Sequence, residues 1–178
     1  IVLNGSGAVT GLTTLPDSAM ASGSVIQVVS TTKTDVFSES LSSGAFSADA
    51  MSLSITPSSA SNKIHIAVNC FLGSSTTSRG NITIYKAGSV LTGSIGDADG
   101  NKNRTSLQVG FANVARGNTA SGTYLDTAGG TSAITYRPAI NISNTDSYTI
   151  YLNRPSNTSD SVSIVRTISV ITAMEVAA

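Results

Sequence analysis

Charge is what this sequence has least of. Only 11% of its 178 residues are Asp, Glu, Lys or Arg, and ten basic side chains balance ten acidic ones. An average soluble chain carries about a quarter. So neutral a balance offers no clustered cations for a phosphate backbone or an anionic bilayer, and argues against nucleic acid and polybasic membrane attachment. Tryptophan is absent and aromatics make up 5%, which leaves few flat platforms of the kind common in sugar clefts. A single histidine, His65, excludes a multi-histidine metal site within one chain. A single cysteine, Cys70, excludes an internal disulfide and reads as a small buried hydrophobe. No apolar run approaches the roughly 20 residues of a membrane-spanning helix. The opening IVLNGSGAVT lacks the basic region and apolar core of a secretion signal. Neither membrane insertion nor a cofactor is expected.

What the sequence does have is hydroxyls and alternation. Ser and Thr supply about three residues in ten, so solubility rests on hydroxyls and amides rather than ions. In Met51–Phe71, MSLSITPSSASNKIHIAVNCF, two period-two runs flank a Pro/Ser/Asn turn. Met51, Leu53 and Ile55 share one face, as do Ile64, Ile66, Val68 and Cys70 after the turn; this predicts a pair of half-buried strands. Pro57, unable to donate to a ladder, closes the first. Similar runs recur over 24–30, 35–41, 81–86, 105–115, 123–125, 131–142, 147–153 and 164–176, with a shorter one over 89–95. Turn chemistry separates them, and no window carries a helical stripe. Eight to ten short strands so spaced argue an antiparallel sandwich or barrel. Residues 1–22, with Gly5, Gly7, Gly11 and Pro16, predict an extended connector that orders when copies of the chain wrap together. A globular domain follows over 23–178.

The last run is apolar on both faces. Ile168, Val170, Met174 and Val176 alternate with Val165, Ile171 and Ala173. Burial on both faces of one strand predicts a subunit interface, with Val165, Ile168, Val170, Ile171 and Met174 as candidates.

No catalytic constellation assembles from the residues. There is no G-x-S-x-G elbow to single out one serine beside His65. Asp97-Ala98-Asp99-Gly100-Asn101 looks like the start of a calcium loop, but the run Lys102-Asn103-Arg104 that follows places two cations where ligands are wanted. Five N-x-S/T sequons, such as Asn81-Ile82-Thr83 and Asn141-Ile142-Ser143, follow from an Asn-, Ser- and Thr-rich composition. Exposed polar loops remain the best contact candidates, through Ser78, Arg79, Asp97, Asp99, Asn101, Arg154 and Asn157.

Several phrases resemble the distal domains of tail-fibre or appendage proteins of marine bacteriophages. They are GSVIQVVSTTKTD (23–35), LSITPSSASNKIHIAV (53–68), SRG (78–80) with GDADG (96–100), YLNR (151–154) and ITAMEVAA (171–178). The leading GSGAVTGLTTLP (5–16) resembles the low-complexity shafts that precede such domains. The resemblance spans most of the chain as short matches, none of them a catalytic or ligand motif, so no family binding residue transfers. It implies a virion structural protein: an all-β, jelly-roll-like sandwich head on a short shaft, homotrimeric, joined to other virion proteins on its N-terminal side. It also implies attachment to a host-surface glycan or outer-membrane component without catalysis. A capsid-surface fibre or decoration protein, and more remotely a depolymerase with an intersubunit site, are the competing readings.

Overall fold

The computed structural model describes residues 19–47, 49–142 and 147–178. Most of the expected connector, 1–18, lies outside them. The described chain is all-β, without an α-helix among the described residues and with a 3-10 turn at Thr92–Ser94. In chain order the strands are β1 (Val25–Lys33), β2 (Phe37–Leu41), β3 (Leu53–Ile55), β4 (Lys63–Ser74), β5 (Arg79–Lys86) and β6 (Ser89–Val90). They continue with β7 (Leu107–Gly110), β8 (Asn118–Thr127), β9 (Ile134–Ile142), β10 (Tyr148–Leu152) and β11 (Ser169–Val176).

They form two antiparallel sheets packed as a sandwich. Sheet I runs β1-β11-β4-β8, with β10 and β2 continuing from β4 at one end; sheet II runs β3-β9-β5, with β6 and β7 both on the far edge of β5. With β2, β6 and β10 set aside, eight strands remain. In chain order they fall first-eighth-third-sixth in sheet I and second-seventh-fourth-fifth in sheet II. That order is the double Greek key of a jelly roll.

The period-two pattern sets which side chains meet between the sheets. Ile64, Ile66, Val68, Cys70 and Leu72 of β4 face Ile82 and Ile84 of β5 and Tyr136 and Ile140 of β9 across one core. Each such aliphatic side chain contributes about 1.5–3 kcal/mol by leaving water. Met51, Leu53 and Ile55 join them, as their alternation predicts. They do so from the opposite sheet. β3 pairs with β9, not β4, so Met51–Phe71 is not a hairpin but an arch. Its two strands turn apolar faces to the same core, and residues 56–62 span the roughly 10 Å between sheets.

Two strand boundaries and one residue's facing also differ from the sequence pattern. β8 is ten residues long, although only 123–125 reads as strand, because Thr, Ser and Gly fill an edge that buries only alternate positions. The last strand starts at Ser169, which leaves Val165 and Ile168 on the preceding loop, 45% and 54% exposed. Ile171 points inward and is fully buried in the chain's own core, so it is no interface residue. One of the two apolar faces of β11 is simply this core.

The other face of β11 is open. Sheet I turns Val170, Met174 and Val176 outward beside Val25, Val28 and Leu125, the last three 51%, 56% and 53% exposed. His65 lies between Met174 and Leu125 in register, its Nδ1 out of water and unpaired. The outward face of sheet II is instead covered. Phe46 meets Tyr85 edge-on at 5.7 Å, Arg137 stacks on Tyr85 at 4.4 Å, and Asn81, Thr83, Ala139 and Asn141 are buried. Burial of Asn81 and Asn141, which hydrogen-bond to each other at 3.0 Å, removes two of the five sequons as accessible acceptors.

Candidate functional site

β4 runs from one end of the sandwich to the other and defines both. At its start lie Val25, Thr127 and Val176, with the 56–62 arch and the end of the chain. Gly23 and Ala177 meet there: the Gly23 N–H donates to the Ala177 carbonyl, and the Ala177 N–H to that of Ser24, both at 2.9 Å. We call this end the root. At the far end, the tip, loops 75–78, 111–117 and 153–168 emerge together.

The root is closed by a buried carboxylate. Glu175 Oε1 accepts from the Ser58 N–H (2.8 Å), Ser58 Oγ (2.6 Å) and Asn62 Nδ2 (2.7 Å), and Oε2 accepts from Gln27 Nε2 (2.5 Å). Burial alone would push its pKa up, but the bonds from Asn62, Gln27 and Ser58 outweigh it and hold the group at about 2. The same donors join three segments. Gln27 also donates to the Thr56 carbonyl at 2.7 Å, and Asn62 Oδ1 accepts from Ala178 N at 3.2 Å.

Nearby, Tyr136 donates to Asp126 Oδ2 at 2.7 Å, and Lys86 sits 2.7 Å from the same oxygen. These contacts bind β8 of sheet I to β9 and β5 of sheet II. Burial, and then the carboxylate it donates to, push the Tyr136 phenol above its ordinary range.

At the tip, sheet I splits. One edge of β4 pairs with β11 as far as Asn69 and with β10 from Leu72 onward. Phe71 falls in the gap, and side chains complete its backbone bonding. Its N–H donates to Ser169 Oγ (3.1 Å), and its carbonyl accepts from Asn153 N (2.9 Å). Asn153, buried at φ 66, donates through Nδ2 to the Lys33 and Asp35 carbonyls, both at 2.8 Å, and accepts from Ser169 Oγ at 2.6 Å. One asparagine thus ties β1, β4, β10 and β11 where the tip loops depart. Cys70 lies in the same layer. Burial, partly offset by its hydrogen bond with Ser169, pushes its thiol up to about 12, so it is a packing residue without nucleophilic character.

Two glycines seat the loops. A Cβ on Gly73 would lie 2.4 Å from the Arg154 carbonyl oxygen, and one on Gly117 2.3 Å from the Phe71 ring. Loops 153–156 and 111–117 can therefore lie flat on the end of β4, and Ser156 N donates to the Val114 carbonyl at 3.2 Å to join them.

The joined loops leave three adjoining depressions. The central one, about 510 Å³, has Phe71, Asn113, Arg116, Asn157 and Ile164 in its wall. Beside it, one of about 420 Å³ is lined by Thr77, Ser78, Arg79 and Phe111. On the other side a third, of about 240 Å³, shares Ile164 and adds Asp160 and Arg166.

Of the candidates read from sequence, Ser78, Arg79, Arg154 and Asn157 come together at the tip. Asp97, Asp99 and Asn101 do not. Their loop hangs on the flank, where Ser106 bonds to Ile82 and Ile84 at the edge of β5, Ser94 bonds to Leu91 and Ser106, and Asp99 pairs with Lys102. Sequence reading missed Phe71, Asn113, Arg116 and Arg166; the one available signal was an unpartnered Arg beside a turn glycine at 116–117. Among the described residues no three His, Cys, Asp or Glu side chains gather to hold a metal ion, and no helix is long and apolar enough to cross a membrane.

No protein-family model matches the chain, and a search of curated proteins finds no match.

Proposed function

We propose that this chain is the head of a virion fibre or appendage, such as a phage tail fibre, attached by its root and touching the host surface with its tip. The observation that carries this reading is the separation of the ends. The chain enters and finishes the sandwich side by side at the root, while loops 75–78, 111–117 and 153–168 and the three depressions among them lie at the opposite end. The sequence resemblance supplies the virion setting. Hydroxyl- and amide-rich loops suit many weak hydrogen bonds to a glycan or outer-membrane component, and repeated heads turn weak binding into avidity.

Assembly into a homotrimer follows from the same reading. The outward face of sheet I, with Val25, Val28, Val170, Met174 and Leu125, is the apolar surface such packing needs. That open face also favours the runner-up, a capsid-surface or purely structural component whose surfaces all meet neighbouring subunits. A depolymerase needs two carboxylates across a groove. Asp160 is the only carboxylate lining the three depressions, so a second would come from another copy.

The two leading readings separate in an adsorption assay. Pure chain, added before phage, should occupy the receptor and reduce adsorption in proportion to its concentration. Unchanged adsorption at saturating chain would favour the structural reading.

A further inference from the structure

The chain is neutral overall, but its tip is not neutral in its lining. Each depression carries one arginine: Arg79 in the first, Arg116 in the second and Arg166 in the third. All three are exposed, and none forms an ion pair among the described residues, whereas Lys33, Lys86, Lys102 and Arg137 do. Local cation–acid balance at the tip is met separately. Lys33 lies 2.8 Å from Asp35, and its hydrogen bond holds that carboxyl below its ordinary value. Arg154 stacks on Tyr151 at 3.9 Å and donates to the Pro155 and Ser156 carbonyls. It braces the loop while its charge stays uncompensated.

The depressions adjoin. Ala112 lines the first and Asn113 the second, and Ile164 lines both the second and the third. They make a track with an arginine at each step, and the central depression lies within the roughly 300–1,000 Å³ range of small-ligand sites. Its wall supplies what a sugar ring uses: the Phe71 ring for the apolar C–H face, and Asn113 and Asn157 amides for hydroxyls. Guanidinium forks pair bidentately with carboxylate or phosphate. Asp160, in the third depression, is the one carboxylate on the track.

We infer that the tip track binds an acidic polysaccharide, with the anionic group of one sugar paired to Arg116 and those of neighbouring units to Arg79 and Arg166. This rests on the host-surface reading above and names the ligand class at that surface. The anion is a uronate carboxylate or a sugar phosphate.

The test measures binding of the full chain to immobilised polygalacturonate, phosphomannan and neutral dextran, in parallel with labelling of whole host cells. The inference expects binding to at least one acidic polymer and none to dextran. It expects at least tenfold weakening between 50 and 500 mM salt, and at least tenfold loss in Arg116→Ala with partial recovery in Arg116→Lys. Arg104→Ala, on the flank, should bind as wild type. Preference for polygalacturonate or for phosphomannan assigns the anion to carboxylate or phosphate. Equal binding to dextran, no binding to either acidic polymer, or Arg116→Ala within twofold of wild type overturns the inference; if cells are still labelled, host-surface attachment survives it. Arginine-dependent polymer binding with no cell labelling does the reverse.

Discussion

The two ends of this sandwich handle polar groups in opposite ways. At the root, Glu175 is buried without an ion pair among the described residues, and four neutral donors from two segments close around its oxygens. At the tip, three arginines face solvent with no acid paired to them among the described residues. A satisfied buried carboxylate locks its donors in place, because any loosening leaves charge without partners in a poorly solvated site. An unpaired exposed arginine locks nothing and remains free for an external anion. The difference separates the end that holds the molecule together from the end that can bind. Asn153 marks the border, fixing the base of the tip loops while leaving their rims open.

The largest effect should come from the root. Glu175→Ala strips the acceptor from four donors and should cost about 4 kcal/mol, read as a large drop in denaturant midpoint. Next is the border: Asn153→Ala frees the Lys33 and Asp35 carbonyls and the buried Ser169 hydroxyl at a left-handed φ, for about 3 kcal/mol. Asn153→Gly relieves the φ strain but not the lost bonds, and should fall between Ala and wild type.

Acid gives the third test. The pKa of Glu175 is lower folded than unfolded, so its contribution is complete above about pH 4.5 and is lost as pH falls toward 2. The shift corresponds to about 3 kcal/mol. Unfolding followed across that window should show this loss, and Glu175→Gln should flatten it.

Smaller still on folding is Val170→Asp, on the open face of sheet I. It should leave a folded chain within about 1 kcal/mol of wild type but shift light-scattering mass from assembled to monomeric. A wild-type species that is itself monomeric at micromolar concentration would remove the proposed trimer. Smallest of all, Arg79→Ala and Arg116→Ala should change stability by less than about 0.5 kcal/mol. Marked destabilisation there would mean that the tip arginines are structural and the contrast between the ends false.

The architecture was readable because alternation is a local signal. Ile64, Ile66, Val68 and Cys70 declared their face by spacing alone, and so did Leu53 and Ile55. Sheet membership was not, since an arch and a hairpin present the same two alternating runs, and only the partners of β3 distinguish them. Ile171 illustrates a related limit. A strand with two apolar faces does not show which one the chain itself covers.

The site was less readable, because it depends on which loops a jelly roll gathers at one end. GDADG drew attention by its carboxylates and sits on the flank, while Arg116, in a loop of ordinary composition, lies at the centre of the tip. The phrases carrying the resemblance supply the molecule's polar ties: Gln27 in GSVIQVVSTTKTD, Ser58 and Asn62 in LSITPSSASNKIHIAV, Asn153 in YLNR and Glu175 in ITAMEVAA. These four phrases speak chiefly to how the fold is held, whereas SRG places Ser78 and Arg79 at the tip.

The central claim is that the root faces the particle and the tip faces the host. Electron microscopy of particles with a small gold-binding tag placed either after Ala178 or between Ser159 and Asp160 tests it directly. The account predicts the loop tag outermost on the appendage and the tag after Ala178 on the side nearer the particle. The reverse order, or both tags at the same radius, would contradict it.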